Sequence, residues 1–112
     1  MSIQKWSDRI WVVRLHDDPA FAEDLDQINE RALSPDMMPH LVLEFTAVTS
    51  IASSNLSAML RLRKNMIDRE VQLRLTSLPD GVWAVFLTTG LDKVFNFTHD
   101  TPTALAELQI SA

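Results

Sequence analysis

Strand-like and helix-like patterns alternate along almost the whole chain, and that alternation limits the possible folds more than any other feature. The run "RIWVVRLHD" has period two, with Ile10, Val12 and Arg14 on one face and Trp11, Val13 and Leu15 on the other. The preceding "QKWSDR" reads as its hairpin partner, turning at Ser7-Asp8. Asp17-Asp18-Pro19 has the form of a helix start, an acidic cap followed by proline at the first helical position. Phe21, Leu25, Ile28 and Ala32 then make one stripe of an amphipathic helix. Glu23, Asp24, Asp26 and Glu30 fall on its wet faces, and Ser34-Pro35 ends it.

"LVLEFTAV" predicts a buried strand of the kind found in a sheet covered on both faces. After a serine-rich turn, "LSAMLRLRKNMIDRE" predicts a helix with Leu56, Met59, Leu60, Met66 and Ile67 inward and Arg61, Arg63 and Lys64 outward. "VQLRLTSL" is a strand that points Val71, Leu73 and Leu75 one way and Gln72, Arg74 and Thr76 the other. "DGVWAVFLTTG" is a helix with Val82, Val85, Phe86 and Thr89 on one face, and Gly90 as its left-handed stop. "VFNF" is a short strand, and "TPTALAELQ" a last helix capped by Thr101, with Leu105 and Leu108 inward. Such an order calls for an α/β layer fold: a mixed, mainly parallel sheet of four to five strands with about four helices. We expect it to form a single domain over residues 1–112. Function in such sheets gathers at the carboxyl ends of the strands, and "AVTSIASSNLSAML" sits at one of these strand-to-helix handovers.

Composition narrows the function. With no cysteine, thiol catalysis, disulfides and zinc-thiolate sites are excluded, and a reducing compartment fits. A net charge of −5 argues against a protein that grips nucleic acid through its phosphates. No apolar run approaches the ~20 residues of a membrane span, and "MSIQKWSDR" lacks a signal-peptide core, so the expected location is the cytoplasm. Gly81 and Gly90 cannot build a P-loop or a dinucleotide fingerprint, and no GxSxG elbow occurs. His16, His40 and His99 are far apart; His16 with Asp17 and Asp18 fits a solvated strand end better than a metal or acid–base site. No metal, cofactor or catalytic set is therefore expected, and the chain reads as non-enzymatic. Trp6, Trp11 and Trp83 are expected to be packed or half-buried, while Met37 and Met38 are expected to be exposed as contact surface or as a lid on the sheet edge.

Three blocks in order resemble the STAS family of anti-sigma factor antagonists and sulfate-transporter tails. "LVLEFTAVTSIASSNLSAML" is similar to the family's strand, Asp-Ser-(Ser/Thr)-Gly-Leu turn and helix. "VQLRLTSL" is similar to its next strand, and "FLTTGLDKVFNFTHDTPTAL" to its C-terminal Thr-Gly-Leu signature. The resemblance implies an anti-anti-sigma regulator of transcription that binds an anti-sigma serine kinase, with a phosphatase resetting it, as in bacterial signalling. It implies a phosphoprotein whose acceptor is Ser53, with Ser54 as second choice, and no cofactor. The implied partner surface is Ser50, Ile51, Ala52, Ser53, Ser54, Asn55, Ser57, Ala58 and Arg61. An alternative within the family is a STAS adaptor or structural subunit of a transport complex, such as a lipid-transport ABC system, that is not phosphorylated.

Two residues depart from the family turn: Ala52 stands at the aspartate and Asn55 at the glycine. Asparagine tolerates a positive φ if one is needed, so the turn should survive. An alanine cannot orient an acceptor hydroxyl as a carboxylate would. On side-chain chemistry alone, the cluster reads first as a helix cap, a role worth ~1 kcal/mol.

Overall fold

The computed structural model describes residues 2–111. Its elements run β1 (Ser2–Lys5), β2 (Ile10–His16), α1 (Ala20–Leu33), β3 (His40–Ala47), α2 (Ser53–Asp68), β4 (Leu73–Thr76), α3 (Asp80–Thr89), β5 (Phe97–Thr98) and α4 (Thr101–Ser111). The strands form one sheet in the order β1-β2-β3-β4-β5. β1 is antiparallel to β2, and every other pair is parallel. This is the layered arrangement that the alternation of patterns requires, because parallel neighbours need a helical crossover.

The period-two signal of β2 divides it between two cores. Val13 and Leu15 join Leu43, Phe45 and Leu75 beneath α1, α2 and α3 in the main core. Ile10 and Val12 point to the other face, where they pack with Val42 under Ala104 and Leu108 of α4. Phe86 of α3 sits edge-on to Phe45, Phe95 and Phe97, with ring centroids 6.4, 5.9 and 5.3 Å away. Gly90 adopts φ 77° and closes α3 through its N–H on the Leu87 carbonyl, as a left-handed stop should.

The structure differs from the sequence expectations at several points. α2 begins at Ser53, inside the serine cluster, and turns Asn55, Leu56, Ala58, Met59, Leu62, Asn65 and Met66 inward. Leu60 and Ile67 face outward, 39% and 56% exposed. The cause is a buried amide pair: Asn65 Nδ2 donates to Asn29 Oδ1 at 2.9 Å, and Asn29 Nδ2 donates to the Ala58 carbonyl at 3.3 Å. These polar residues hold inward slots that an apolar-only count assigns elsewhere. Asp24 is also buried rather than on a wet face, and Met38 is buried while Met37 alone of the pair is exposed. Trp11 and Trp83 are half-buried as expected, whereas Trp6 is exposed.

The remaining differences lie at element ends. "VFNF" supplies only Phe97 to a strand, and a 3-10 turn at Leu91–Lys93 precedes it. Asp100 rather than Thr101 caps α4, its Oδ1 accepting the Thr103 N–H at 2.9 Å. The Thr101 hydroxyl instead meets that of Thr76 at 3.0 Å. α1 starts at Ala20 after a cis Asp18-Pro19 bond, yet Asp18 still caps it by accepting the Ala22 N–H at 3.1 Å.

Candidate functional site

The carboxyl ends of β2 and β3 lie side by side, and the loops that leave them touch. The register slips between them: Arg14 pairs with Glu44 but His16 with Ala47, so β3 carries one extra residue at its end. Past that point Asp17 and Asp18 face the segment 49–55. Asp17 Oδ1 accepts the Thr49 N–H at 2.7 Å and the Ser50 N–H at 3.3 Å, while Oδ2 accepts the Thr49 hydroxyl at 2.5 Å. These hydrogen bonds, the Thr49 hydroxyl first, hold the Asp17 carboxyl below its ordinary pKa, against a small opposing effect of desolvation. Asp18 Oδ1 accepts from Asn55 Nδ2 at 3.2 Å, and Asn55 Oδ1 in turn accepts the Ala52 N–H at 2.8 Å. Two adjacent acids thus fasten both ends of the serine loop.

Within that frame the serines do not cap. Ala52 has the extended N-cap conformation, φ −95° and ψ 162°, and a methyl group cannot accept a hydrogen bond. Asn55 completes only half of a capping box, its side chain bonding back to the Ala52 amide. Ser53 and Ser54 are the first two helical residues, both exposed, and their hydroxyls make no hydrogen bond among the described residues. The expectation of a capping serine is therefore corrected: helix entry rests on Asn55 and Asp18. Asn55 is helical and buried, so the asparagine at the family's glycine position imposes no backbone strain; among the described non-glycine residues, positive φ is confined to Glu70 and Ser77.

The residues expected at a partner surface divide into two groups. Ser50, Ala52, Ser53, Ser54, Ser57 and Arg61 are exposed, and Ile51 is half-buried. Asn55 and Ala58 are 4% and 7% exposed, so they lie beneath these residues rather than among them. Ser53, Ser57 and Arg61 recur at i, i+4 and i+8 and line one outward stripe of α2. The Asp17 and Asp18 contacts were not anticipated from sequence, where their neighbourhood reads as a solvated helix start. Among the described residues no group of three His, Asp or Glu side chains is placed to hold a metal ion. No helix of the described residues is long and apolar enough to cross a membrane.

The family model for the STAS domain matches residues 3–104. No curated protein sequence matches the chain. Among solved structures, a protein from Thermotoga maritima assigned as an anti-sigma factor antagonist superposes with TM-score 0.81 at 16% identity, over 96% of this chain and 93% of that one. A Ser-to-Glu variant of RsbS from Moorella thermoacetica gives TM-score 0.79 at 16% identity, over 96% and 93%. An anti-sigma-factor antagonist (STAS) domain protein from Planctomyces limnophilus gives 0.75 at 13% identity, over 89% and 91%.

Proposed function

The chain belongs to the STAS domain family, and from that premise we propose that it is a non-enzymatic regulator of the anti-sigma factor antagonist type. It works in the cytoplasm, where it binds an anti-sigma serine kinase through the exposed stripe at the start of α2. Phosphorylation of Ser53 releases the kinase, and a phosphatase restores binding. The observation that carries this reading is the presentation of Ser53: an exposed hydroxyl with no hydrogen bond among the described residues, on the first residue of α2, where two carboxylates hold the chain on either side of it.

The physical consequence of modification supports a switch. A phosphoserine adds roughly −1.5 to −2 charge at neutral pH. At the first turn of α2 the free amides and the helix dipole accept that charge, so the fold is left intact. Asp17 and Asp18 already stand in the neighbouring loop, so the added phosphate makes this corner strongly negative toward any partner docked on it.

One observation favours the second reading, an adaptor subunit of a transport complex that is never phosphorylated. Ala52 offers no carboxylate beside the acceptor, and those of Asp17 and Asp18 are already engaged with the loop. The two readings part on one experiment. A cognate anti-sigma kinase with ATP should label the wild-type protein and leave Ser53→Ala unlabelled. Equal labelling of both moves the acceptor elsewhere, and recovery of a transporter ATPase whose binding ignores Ser53→Asp supports the adaptor.

A further inference from the structure

β1 is an edge strand, paired on one side only. Its outer backbone groups have no partner strand, and its residues are exposed apart from half-buried Ile3. On the side that faces α1 a cavity of about 280 Å³ opens beside it. Ile3, Trp11, Val13, Ile28, Met38 and Leu41 give that cavity an apolar wall. Its rim is cationic: Lys5 Nζ lies 4.9 Å and the Arg31 guanidinium 5.2 Å from the Trp11 ring centroid. Neither cation has a carboxylate partner among the described residues, although Arg31 also donates to the Met37 carbonyl at 2.7 Å.

We propose that β1 and this cavity form a docking site for an extended segment of a partner protein in which apolar and acidic residues are combined. The segment adds to the sheet as a sixth strand through β1's outer amides and carbonyls. Side chains alternate across a strand, so every second residue of the incoming segment faces the α1 side. An apolar residue there fills the space between Ile3, Trp11 and Ile28, and an acidic residue on the same face meets Lys5 and Arg31. Charge decides against a second copy of this chain as the occupant. β1 reads Ser-Ile-Gln-Lys and holds no acid, so antiparallel self-pairing sets Lys5 opposite Ser2 and leaves both cations unmatched. The site lies on the β1 edge and uses none of the α2 residues that surround Ser53.

The test uses the full chain, isotope-labelled for NMR, and two synthetic peptides: a repeat of valine-threonine-glutamate-threonine, which sets valine and glutamate in turn along one face of the strand, and the same pattern with lysine for glutamate. The acidic peptide should shift the resonances of Ile3, Lys5 and the Trp11 indole and slow hydrogen exchange at the outward amides of β1. Lys5→Glu, an exposed substitution, should weaken the acidic peptide at least tenfold and raise affinity for the lysine peptide. N-methylation of the peptide amides that face β1 should abolish binding. Three results would each overturn the proposal: shifts confined to α2, equal affinity for the two peptides, or binding indifferent to N-methylation. Concentration-dependent dimerisation through β1 without peptide would identify a second copy as the occupant instead.

Discussion

Ala52 is the residue where the account of the loop can be tested most sharply by stability. It occupies the N-cap of α2 in the conformation an N-cap needs, but brings no acceptor. Its carbonyl takes the Asn55 and Leu56 amides at 3.0 and 3.1 Å, whereas the Ser53 and Ser54 amides find no acceptor among the described residues. Ala52→Ser places a hydroxyl within reach of the Ser54 or Asn55 amide and completes the capping box that Asn55 already half forms. Exchange of alanine for serine at an N-cap is worth about 1 kcal/mol. In a chain of 112 residues that corresponds to a rise in Tm of roughly 4 °C. Ala52 is exposed, so the larger side chain displaces nothing. Ala52→Asp should gain less than Ala52→Ser, because Asp18 already approaches the same turn through Asn55. The control is Ser53→Ala, which should stay within about 0.5 kcal/mol of wild type, since the Ser53 hydroxyl makes no hydrogen bond among the described residues. Urea unfolding of the variants, with the m-value held constant, reads the differences. No gain from Ala52→Ser, together with a loss of about 1 kcal/mol in Ser53→Ala, would refute the reasoning and make Ser53 the cap.

Three further outcomes follow from other contacts. Asn65→Leu leaves the buried Asn29 side-chain oxygen Oδ1 without its donor and should cost about 1–3 kcal/mol, while the Asn29→Leu/Asn65→Leu pair should cost less than the sum of the single variants. A double-mutant cycle by urea unfolding measures that coupling, and strict additivity contradicts it. Leu62→Ala empties a fully buried position and should lower stability by about 2–5 kcal/mol, whereas Leu60→Ala, on the outward face, should change it by less than about 1 kcal/mol. Asp17 has a lowered pKa in the folded protein, so its stabilisation is complete above the unfolded value near 3.8 and is lost as pH falls through the lower folded value. Acid titration followed by NMR should therefore move the Thr49 and Ser50 amides only below about pH 4; movement near neutrality would contradict the Asp17 clamp.

The element order was legible because strand and helix periods differ and each segment keeps its own period for long enough to be read. β2, α1, β3, α3 and α4 fall close to where their patterns place them. What could not be read is contact across long sequence separation. The inward face of α2 depends on Asn65 meeting Asn29, 36 positions apart, and no local pattern reports that an amide will be satisfied in the core. The candidate site shows the same division. The serine cluster stands out along the chain, but its geometry comes from Asp17 and Asp18, 32 to 37 positions from the atoms they hold. Parallel pairing of β2 with β3 makes neighbours of those loops. The cap was misjudged because a serine at a strand-to-helix turn resembles a cap whichever residue begins the helix.

The most direct measurement is the affinity of a cognate anti-sigma kinase for this protein, by calorimetry, with Ser53 unmodified, phosphorylated and as Ser53→Asp. Each form should also be checked by circular dichroism for an unchanged fold. The unmodified protein should bind, and the other two should bind at least tenfold more weakly, with the spectra superposing. Equal affinity across the three forms would contradict it.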